Sequence, residues 1–233
     1  MARFLLPCRR IIHLKSLAPS SSSSTPASFF LSLRSYISEM RRAAFKETLL
    51  RNLRAEITYE AESRPPSTPE STFRSFSIHD RPGEKWIQLR RSHGREEVTI
   101  DATMFDGVAP SSRSAAAAEV ADPSDLRRHI SLMVEVSKGE ASGIVLRFAC
   151  SAWADDLQID NIFPARRGNE ALMQYMGPEF KELDDELQSA AREYLEKRGV
   201  NDELSGFLHD YMENKDRSEL LRWLRNVETY VKK

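Results

Sequence analysis

Residues 183–208 have the sequence LDDELQSAAREYLEKRGVNDELSGFL. Its apolar residues recur every three or four positions, which predicts helices with one buried face. The first helix is expected to begin at Pro178, because proline suits the first helical position, and to end at Gly199. Its predicted buried stripe comprises Phe180, Leu183, Leu187, Ala191 and Tyr194. A second helix is predicted from about Asn201, with Leu204, Phe207, Leu208 and Tyr211 facing inward.

Two further helices are predicted at the ends of the chain. Asp216 with Glu219 three residues later is typical of a helix start. The third helix would then bury Leu220, Leu221, Trp223, Leu224, Val227 and Val231. A helix over residues 38–62, capped by Ser38 and ended by Pro65, carries the stripe Met40, Ala44, Phe45, Leu49, Leu53 and Ile57. Nothing adjacent in sequence can bury that stripe.

Between these helices the apolar period changes from three or four to two, which predicts half-buried strands. Residues 97–104 and 130–136 alternate regularly, and 73–79, 85–91, 144–153 and 157–163 do so less regularly. The turns between neighbours are too short for helical crossovers, so an antiparallel meander is expected. The exception is 106–125, which has turn residues and an alanine run but no apolar period, and is predicted to be a mobile surface loop.

The N-terminus differs in charge from the remainder of the chain. The first 38 residues contain five of the 34 Lys and Arg and none of the 35 Asp and Glu. The remainder therefore has 29 basic and 35 acidic residues, a net charge of −6 compared with −1 for the whole chain. An Arg-rich, Ser-rich and acid-free segment is typical of an organelle transit peptide. Its apolar residues are interrupted too often for a secretory signal, and no run approaches a membrane span.

Arg34-Ser35-Tyr36 resembles a plant-type mitochondrial processing site, with cleavage after Tyr36. Ile37 departs from the small residue that is usual after the cut, so cleavage is expected within a few residues of Tyr36. The predicted organisation is a transit peptide at 1–36 and a single domain at 37–233, in the mitochondrial matrix. Two alternatives stay open: a tail that is never removed, and a chloroplast address suggested by the serine run 20–24. Cys8 would leave with the transit peptide, so Cys150 would have no disulfide partner.

The chain resembles the mitochondrial acidic matrix protein family, called the mitochondrial glycoprotein family in plants, whose human member was first known as a complement-binding protein. The resemblance lies in residues 183–208 and in WLRNVETYV, residues 223–231. It implies an α+β fold: a twisted antiparallel sheet of about seven strands, packed by N- and C-terminal helices, in a doughnut-shaped homotrimer. The seventh strand would be a short piece near residues 172–175.

The sequence contains no catalytic motif. Gly-x-Ser-x-Gly, phosphate-binding glycine loops, Cys-x-x-Cys and His-Glu-x-x-His are all missing. His79, His93, His129 and His209 are scattered singly, and Cys150 follows the strand period of a buried residue. Asp184 and Asp185 point about 100° apart on a helix, so they do not readily share a proton or a metal. We therefore expect no enzyme activity, no metal and no cofactor.

Charge segregation is the functional signal. Residues 170–219 contain 14 acidic and six basic residues, a net of −8, which leaves +2 for the rest of the predicted mature chain. An acidic helical layer attracts basic partners, although acids are also ordinary residues on solvated helices. The predicted partner-binding residues are Asp184, Asp185, Glu186, Glu203, Asp210 and Glu213.

The family resemblance implies a non-enzymatic, chaperone-like protein that binds several ligands and supports oxidative phosphorylation and mitochondrial ribosome assembly or translation. Its expected partners are basic matrix proteins, including ribosomal ones. Direct RNA binding is the alternative, and it is less favoured because phosphate contacts need clusters of Lys and Arg. The local clusters are short, for example Arg90-Arg91, Arg127-Arg128 and Arg166-Arg167. Relatives often carry a longer acidic loop where this chain has the nearly neutral 106–125.

Overall fold

The computed structural model describes residues 27–110, 126–139, 143–167 and 175–233. Three α-helices are present in this part: α1 (Ala27–Ser63), α2 (Asp185–Glu196) and α3 (Asp202–Lys232). The strands are β1 (Thr72–Phe73), β2 (Phe76–Asp80), β3 (Trp86–His93), β4 (Glu96–Thr103), β5 (Gly107–Pro110), β6 (Leu126–Ser137), β7 (Ile144–Trp153) and β8 (Asp156–Arg166). The chain divides into two compact units, residues 1–48 and 49–233.

The sheet is an antiparallel meander, as the alternating pattern predicts. Seven strands follow the order β1-β2-β3-β4-β6-β7-β8, and β5 pairs separately with β6. The α+β class and the sheet of about seven strands are therefore confirmed. All six strands predicted from the sequence are present, whereas β1 and β5 were missed.

The predicted loop at 106–125 is partly wrong. Its residues Gly107–Pro110 form β5, which pairs with the first residues of β6. Gly-Val-Ala-Pro is too short and too irregular to show a strand period, which explains the miss. The rest of that loop, 111–125, lies outside the described residues, as does most of the predicted strand at 172–175. Tyr175, which is described, belongs to no strand.

One face of the sheet packs against α2 and α3 and forms the main core. Its buried residues alternate along each strand, for example Ile87 and Leu89 on β3 or Val134 and Val136 on β6. The helices contribute Ala191, Leu195, Val200, Leu204, Leu208, Tyr211 and Met212. Cys150 lies in this core, as its period predicts. Its burial and the nearby Asp160 carboxylate raise the pKa of its thiol well above the ordinary value.

The predicted start of the first C-terminal helix is wrong. After Pro178 the chain forms only a 3-10 turn, Phe180–Glu182, and α2 begins at Asp185. Asp184 caps it by accepting a hydrogen bond from the Glu186 backbone N–H at 3.1 Å. Because the helix starts later, its inward positions shift: Leu187 is 52% exposed, and the half-buried Gln188 occupies the inner side.

The second and third predicted C-terminal helices are one helix, α3. The segment between them contains no proline or glycine, so nothing interrupts the backbone hydrogen bonds. Asp216 therefore lies inside α3 and caps nothing. Lys215, only 3% exposed, lies on the inner side, where its ammonium donates to Asp80 on β2. The predicted burial of Leu220 and Trp223 is also wrong, since both side chains are exposed.

Helix α1 is longer than predicted, because it begins at Ala27 and continues through Ser38. Arg34, Tyr36 and Ile37, the predicted processing site, therefore lie on helical backbone. Before residue 49 the predicted stripe is not buried: Met40 and Phe45 are exposed. After residue 49 the stripe is at least partly buried, since Leu53 is buried and Ile57 is half-buried. In the same unit Arg54 Nε donates to Glu228 Oε1 of α3 at 2.9 Å.

Candidate functional site: the acidic helical surface

The densest group of exposed carboxylates is at the start of α2. We call it the acidic end of α2, and it comprises Glu182, Asp184, Asp185 and Glu186. The group exists because a helix N-terminus favours acidic residues, whose charge opposes the positive end of the helix dipole. Asp184 uses its side chain as the helix cap, which leaves Glu182, Asp185 and Glu186 at the surface.

The other three predicted partner-binding residues, Glu203, Asp210 and Glu213, lie on α3, and two of them already form ion pairs. Arg74 forms an ion pair with Glu203, and Arg217 pairs with Glu213 at 2.7 Å. Asp210 is exposed and has no ion pair among the described residues. The local charge that α3 offers to a partner is therefore smaller than its sequence suggests.

The structure does not gather the six predicted residues into one cluster. Asp185 and Glu196 are the two ends of α2, and a helix rises 1.5 Å per residue, so α2 is roughly 17 Å long. Residues 184–186 lie at one end, whereas Glu203 follows the connection from the opposite end. Residues 184–186 and Glu203 are thus separated by roughly the length of α2, which exceeds the Debye length of about 10 Å at 0.1 M salt.

Ion pairs neutralise several other acidic residues of this layer. Lys197 bonds to Glu193 at 2.7 Å, and this hydrogen bond lowers the pKa of Glu193. Lys181 bonds to Glu179, and Glu219 lies beside Lys215 and Arg222. Among the described residues, the exposed acids of this layer without an ion pair or a capping role are Glu182, Asp185, Glu186, Glu196, Asp202, Asp210 and Asp216. Of these, Asp202 accepts a hydrogen bond from the Leu157 backbone N–H at 3.0 Å.

A buried polar cluster fixes the orientation of α2, and sequence reasoning missed it. Arg198 is 8% exposed and pairs with Glu96 at the start of β4. Its guanidinium also lies 3.3 Å from the centre of the Tyr194 ring. Arg91 Nη1 donates to the Arg198 carbonyl at 2.8 Å. These contacts tie the end of α2 to two strands, so the acidic end projects from a fixed helix.

Within the described ranges, no group of three or more His, Cys, Asp or Glu is arranged to hold a metal ion. Among those residues, no helix combines the length and the apolar character needed to cross a membrane. His209 Nε2 donates to the Ala152 carbonyl at 3.0 Å, which is a structural contact between α3 and β7.

An antiparallel meander covered on one face by acidic helices defines a class of α+β protein, and comparison places the chain in it. The chain belongs to the mitochondrial glycoprotein family, whose model matches residues 53–231. An uncharacterized mitochondrial protein of Arabidopsis thaliana is 30% identical over 221 residues, covering 93% of this chain and 86% of that protein. Mitochondrial acidic protein mam33 of Schizosaccharomyces pombe is 28% identical, covering 80% of this chain and 79% of the relative.

Solved structures agree on the fold. The p22 protein of Trypanosoma brucei matches with a TM-score of 0.65 at 23% identity, covering 81% of this chain and 99% of p22. A Leishmania major protein described as a sequence homologue of human p32 matches with a TM-score of 0.61 at 20% identity, covering 80% of this chain and 98% of that one. The resemblance to the mitochondrial glycoprotein family expected from residues 183–208 and 223–231 is thus confirmed.

Proposed function

We propose that this protein is a non-enzymatic, chaperone-like binding protein of the mitochondrial matrix that holds basic proteins on its acidic helical surface. The observation that carries the proposal is the acidic end of α2, where Glu182, Asp185 and Glu186 are exposed and lack basic partners among the described residues. Exposed charge of one sign attracts the opposite sign and accelerates encounter. Family membership and relatives that are named mitochondrial and acidic support the same role.

Ribosomal proteins of the matrix are the basic ligands that this surface would hold. Keeping them soluble before they meet RNA would assist ribosome assembly and translation, and thereby oxidative phosphorylation. RNA itself is a poorer ligand, because the exposed face carries carboxylates that repel phosphate.

We also propose that the working form is a homotrimer. Each unit exposes apolar side chains that water does not favour. In residues 27–48 these are Tyr36, Ile37, Met40 and Phe45, and on the last turns of α3 they are Leu220, Trp223 and Tyr230. Contacts between copies would cover such surfaces, as the family resemblance implies.

The function is tested by measuring which polymer binds. A labelled 20-residue peptide of alternating lysine and glycine and a labelled 20-nucleotide RNA are titrated into the protein at 50 mM and 500 mM salt. The account predicts that the peptide binds at low salt and is released at high salt, because exposed charges are screened over about 5 Å or less there. Binding of the RNA in preference to the peptide would contradict the proposal.

A further inference from the structure

The face of the sheet that α2 and α3 leave uncovered carries a groove. It has a volume of about 760 Å³ and crosses the sheet from β3 to β8. We call it the outer groove. Its lining includes Lys85, Trp86, Thr103, Met133, Ala149 and Asp160. The exposed lining is mainly apolar, and the size is that of typical ligand sites.

The strand register explains why a groove forms. Trp86 pairs with Thr103, and Met133 pairs with both Asp101 and Ala149, so these side chains share the outer face. Small side chains such as Thr103 and Ala149 form the floor, while the exposed Trp86 stands at one end. Five strands separated by about 4.8 Å make the groove roughly 19 Å long.

A β-bulge places a carboxylate at the other end. Ala149 pairs with Asn161, and Cys150 pairs with Ile159, so Asp160 is the extra residue of β8. Bulges re-aim side chains and are frequent beside functional sites. The Ser151 hydroxyl donates to Asp160 at 2.8 Å, and no basic side chain in the described part of the chain pairs with it. Partial desolvation raises the pKa of Asp160, although Ser151 and the nearby His129 oppose this.

Two more carboxylates border the groove. Gln88 Nε2 donates to Asp101 at 2.7 Å, and Thr103 Oγ1 donates to Asp106 at 3.0 Å. Burial alone would raise the pKa of Asp106, but hydrogen bonds from Ser131 and Thr103 outweigh it and lower the pKa. Like Asp160, neither carboxylate has an ion pair in the described part of the chain. With Lys85 as the single basic lining residue, the groove has a net charge of −2.

We propose that the outer groove binds an extended segment of a basic partner protein, in which an aliphatic or aromatic side chain lies between arginines or lysines. The apolar floor takes the apolar side chain, the three carboxylates take the cations, and the face of Trp86 takes an arginine. An extended chain rises about 3.3 Å per residue, so about six residues span the groove. A second copy of this chain fits less well, because the chain after residue 38 has a net charge of −6.

The inference rests on the proposed preference for basic proteins. It adds a preference for apolar side chains and assigns it to the outer groove, whereas the acidic end of α2 selects for positive charge alone. Two labelled peptides separate the effects: Arg-Leu-Arg-Phe-Arg-Leu, and the charge-matched Arg-Ser-Arg-Gly-Arg-Ser. The parent protein should bind the first about tenfold more tightly, which corresponds to about 1.4 kcal/mol, since a few buried anchor side chains carry most of the binding energy of an interface. Trp86→Ala and Asp160→Asn should each remove most of that preference.

Matched controls use residues outside the groove. Tyr175→Ala removes an exposed aromatic side chain that lies outside the groove and should leave both affinities unchanged. Asp185→Asn at the acidic end of α2 should weaken both peptides by the same factor. Light scattering on each variant reports whether the assembly is intact.

The outcomes distinguish the two proposals. If the parent protein binds both peptides with equal affinity, the outer groove has no selectivity and this inference is wrong, while the acidic surface stands. If neither peptide binds, both proposals fail. If Trp86→Ala or Asp160→Asn lowers the particle mass, the groove is a contact between copies, which also overturns the inference.

Discussion

Arg198 at the end of α2 donates a hydrogen bond from its Nε to Glu96 Oε2 on β4 at 2.9 Å. The two side chains are only 10% and 18% exposed, and the Arg198 Nη1 donates to the Tyr194 carbonyl at 2.7 Å. The pair is therefore satisfied by further hydrogen bonds, the condition under which a buried ion pair is tolerated. It joins the acidic helical layer to the sheet.

Breaking this pair should destabilise the fold. Arg198→Met leaves Glu96 buried without its partner, which we expect to lower the free energy of unfolding by roughly 2–4 kcal/mol. Urea unfolding followed by circular dichroism measures the change. Lys197→Met is the control, because its pair with Glu193 is about two-thirds exposed and should contribute little to the free energy of unfolding. Equal effects of the two substitutions would show that the buried pair has no special role.

Among the glycines whose surroundings the structure describes, Gly199 is the one where a side chain fits worst. Its φ is +79°, and an added Cβ would overlap Arg91 Nη1 and lie 3.3 Å from Phe76. Gly199→Ala should therefore destabilise the protein more than Gly94→Ala, whose φ is +63° but whose Cβ would meet nothing within 4 Å. The backbone strain alone costs about 1–2 kcal/mol at either position. A thermal melt that is lowered equally by both substitutions would contradict the packing argument.

The exposed apolar residues near the start of the chain should be needed for assembly. Light scattering of residues 37–233 is expected to give about three times the subunit mass. Met40→Asp with Phe45→Asp should lower this mass, because a buried interface does not accept unpaired charge. Glu47→Lys with Arg51→Glu, on the same exposed helix, is the control that should keep it. A monomeric parent protein at micromolar concentration would refute the trimer.

Processing is predicted at Arg34-Ser35-Tyr36. N-terminal sequencing of the protein isolated from mitochondria should find Ile37 or a residue within a few positions of it. Arg34→Ala should shift or slow the cleavage, whereas Arg9→Ala should not. Recovery of intact Met1 from the organelle, or of the protein only from chloroplasts, would rule out this hypothesis.

The sequence predicted the sheet better than the helix ends and the surface. Residues 130–136 alternate so regularly that one face must be buried, and β6 follows that pattern. The Asp216–Glu219 pair resembled a helix start, but Glu219 instead accepts a hydrogen bond from the Gly83 backbone N–H at 3.0 Å. Such a contact joins residues 136 positions apart, so no local pattern could indicate it.

The acidic residues could be counted from the sequence, but which of them are exposed and unpaired could not be predicted from it. Glu203 and Asp210 are both acidic residues of α3, and nothing in the sequence distinguishes their roles. In the structure, Arg74 from the turn before β2 neutralises Glu203 and leaves Asp210 unpaired among the described residues. The outer groove was missed for a similar reason. Asp160 follows the strand period, and only the β-bulge opposite Ala149 and Cys150 places it over the groove.

The most direct test of the central claim is the association rate of the lysine-glycine peptide, measured by stopped-flow at 50 mM salt. The variant combines Glu182→Gln, Asp185→Asn and Glu186→Gln, which removes the unpaired charge at the acidic end of α2 without touching the Asp184 cap. The control combines Glu193→Gln, Glu203→Gln and Glu213→Gln, which changes the net charge equally but removes carboxylates already held in ion pairs. The account predicts that the first variant slows association several-fold more than the control, as local electrostatic steering requires. Equal rates for the two variants, or a rate for the first variant equal to that of the parent, would contradict it.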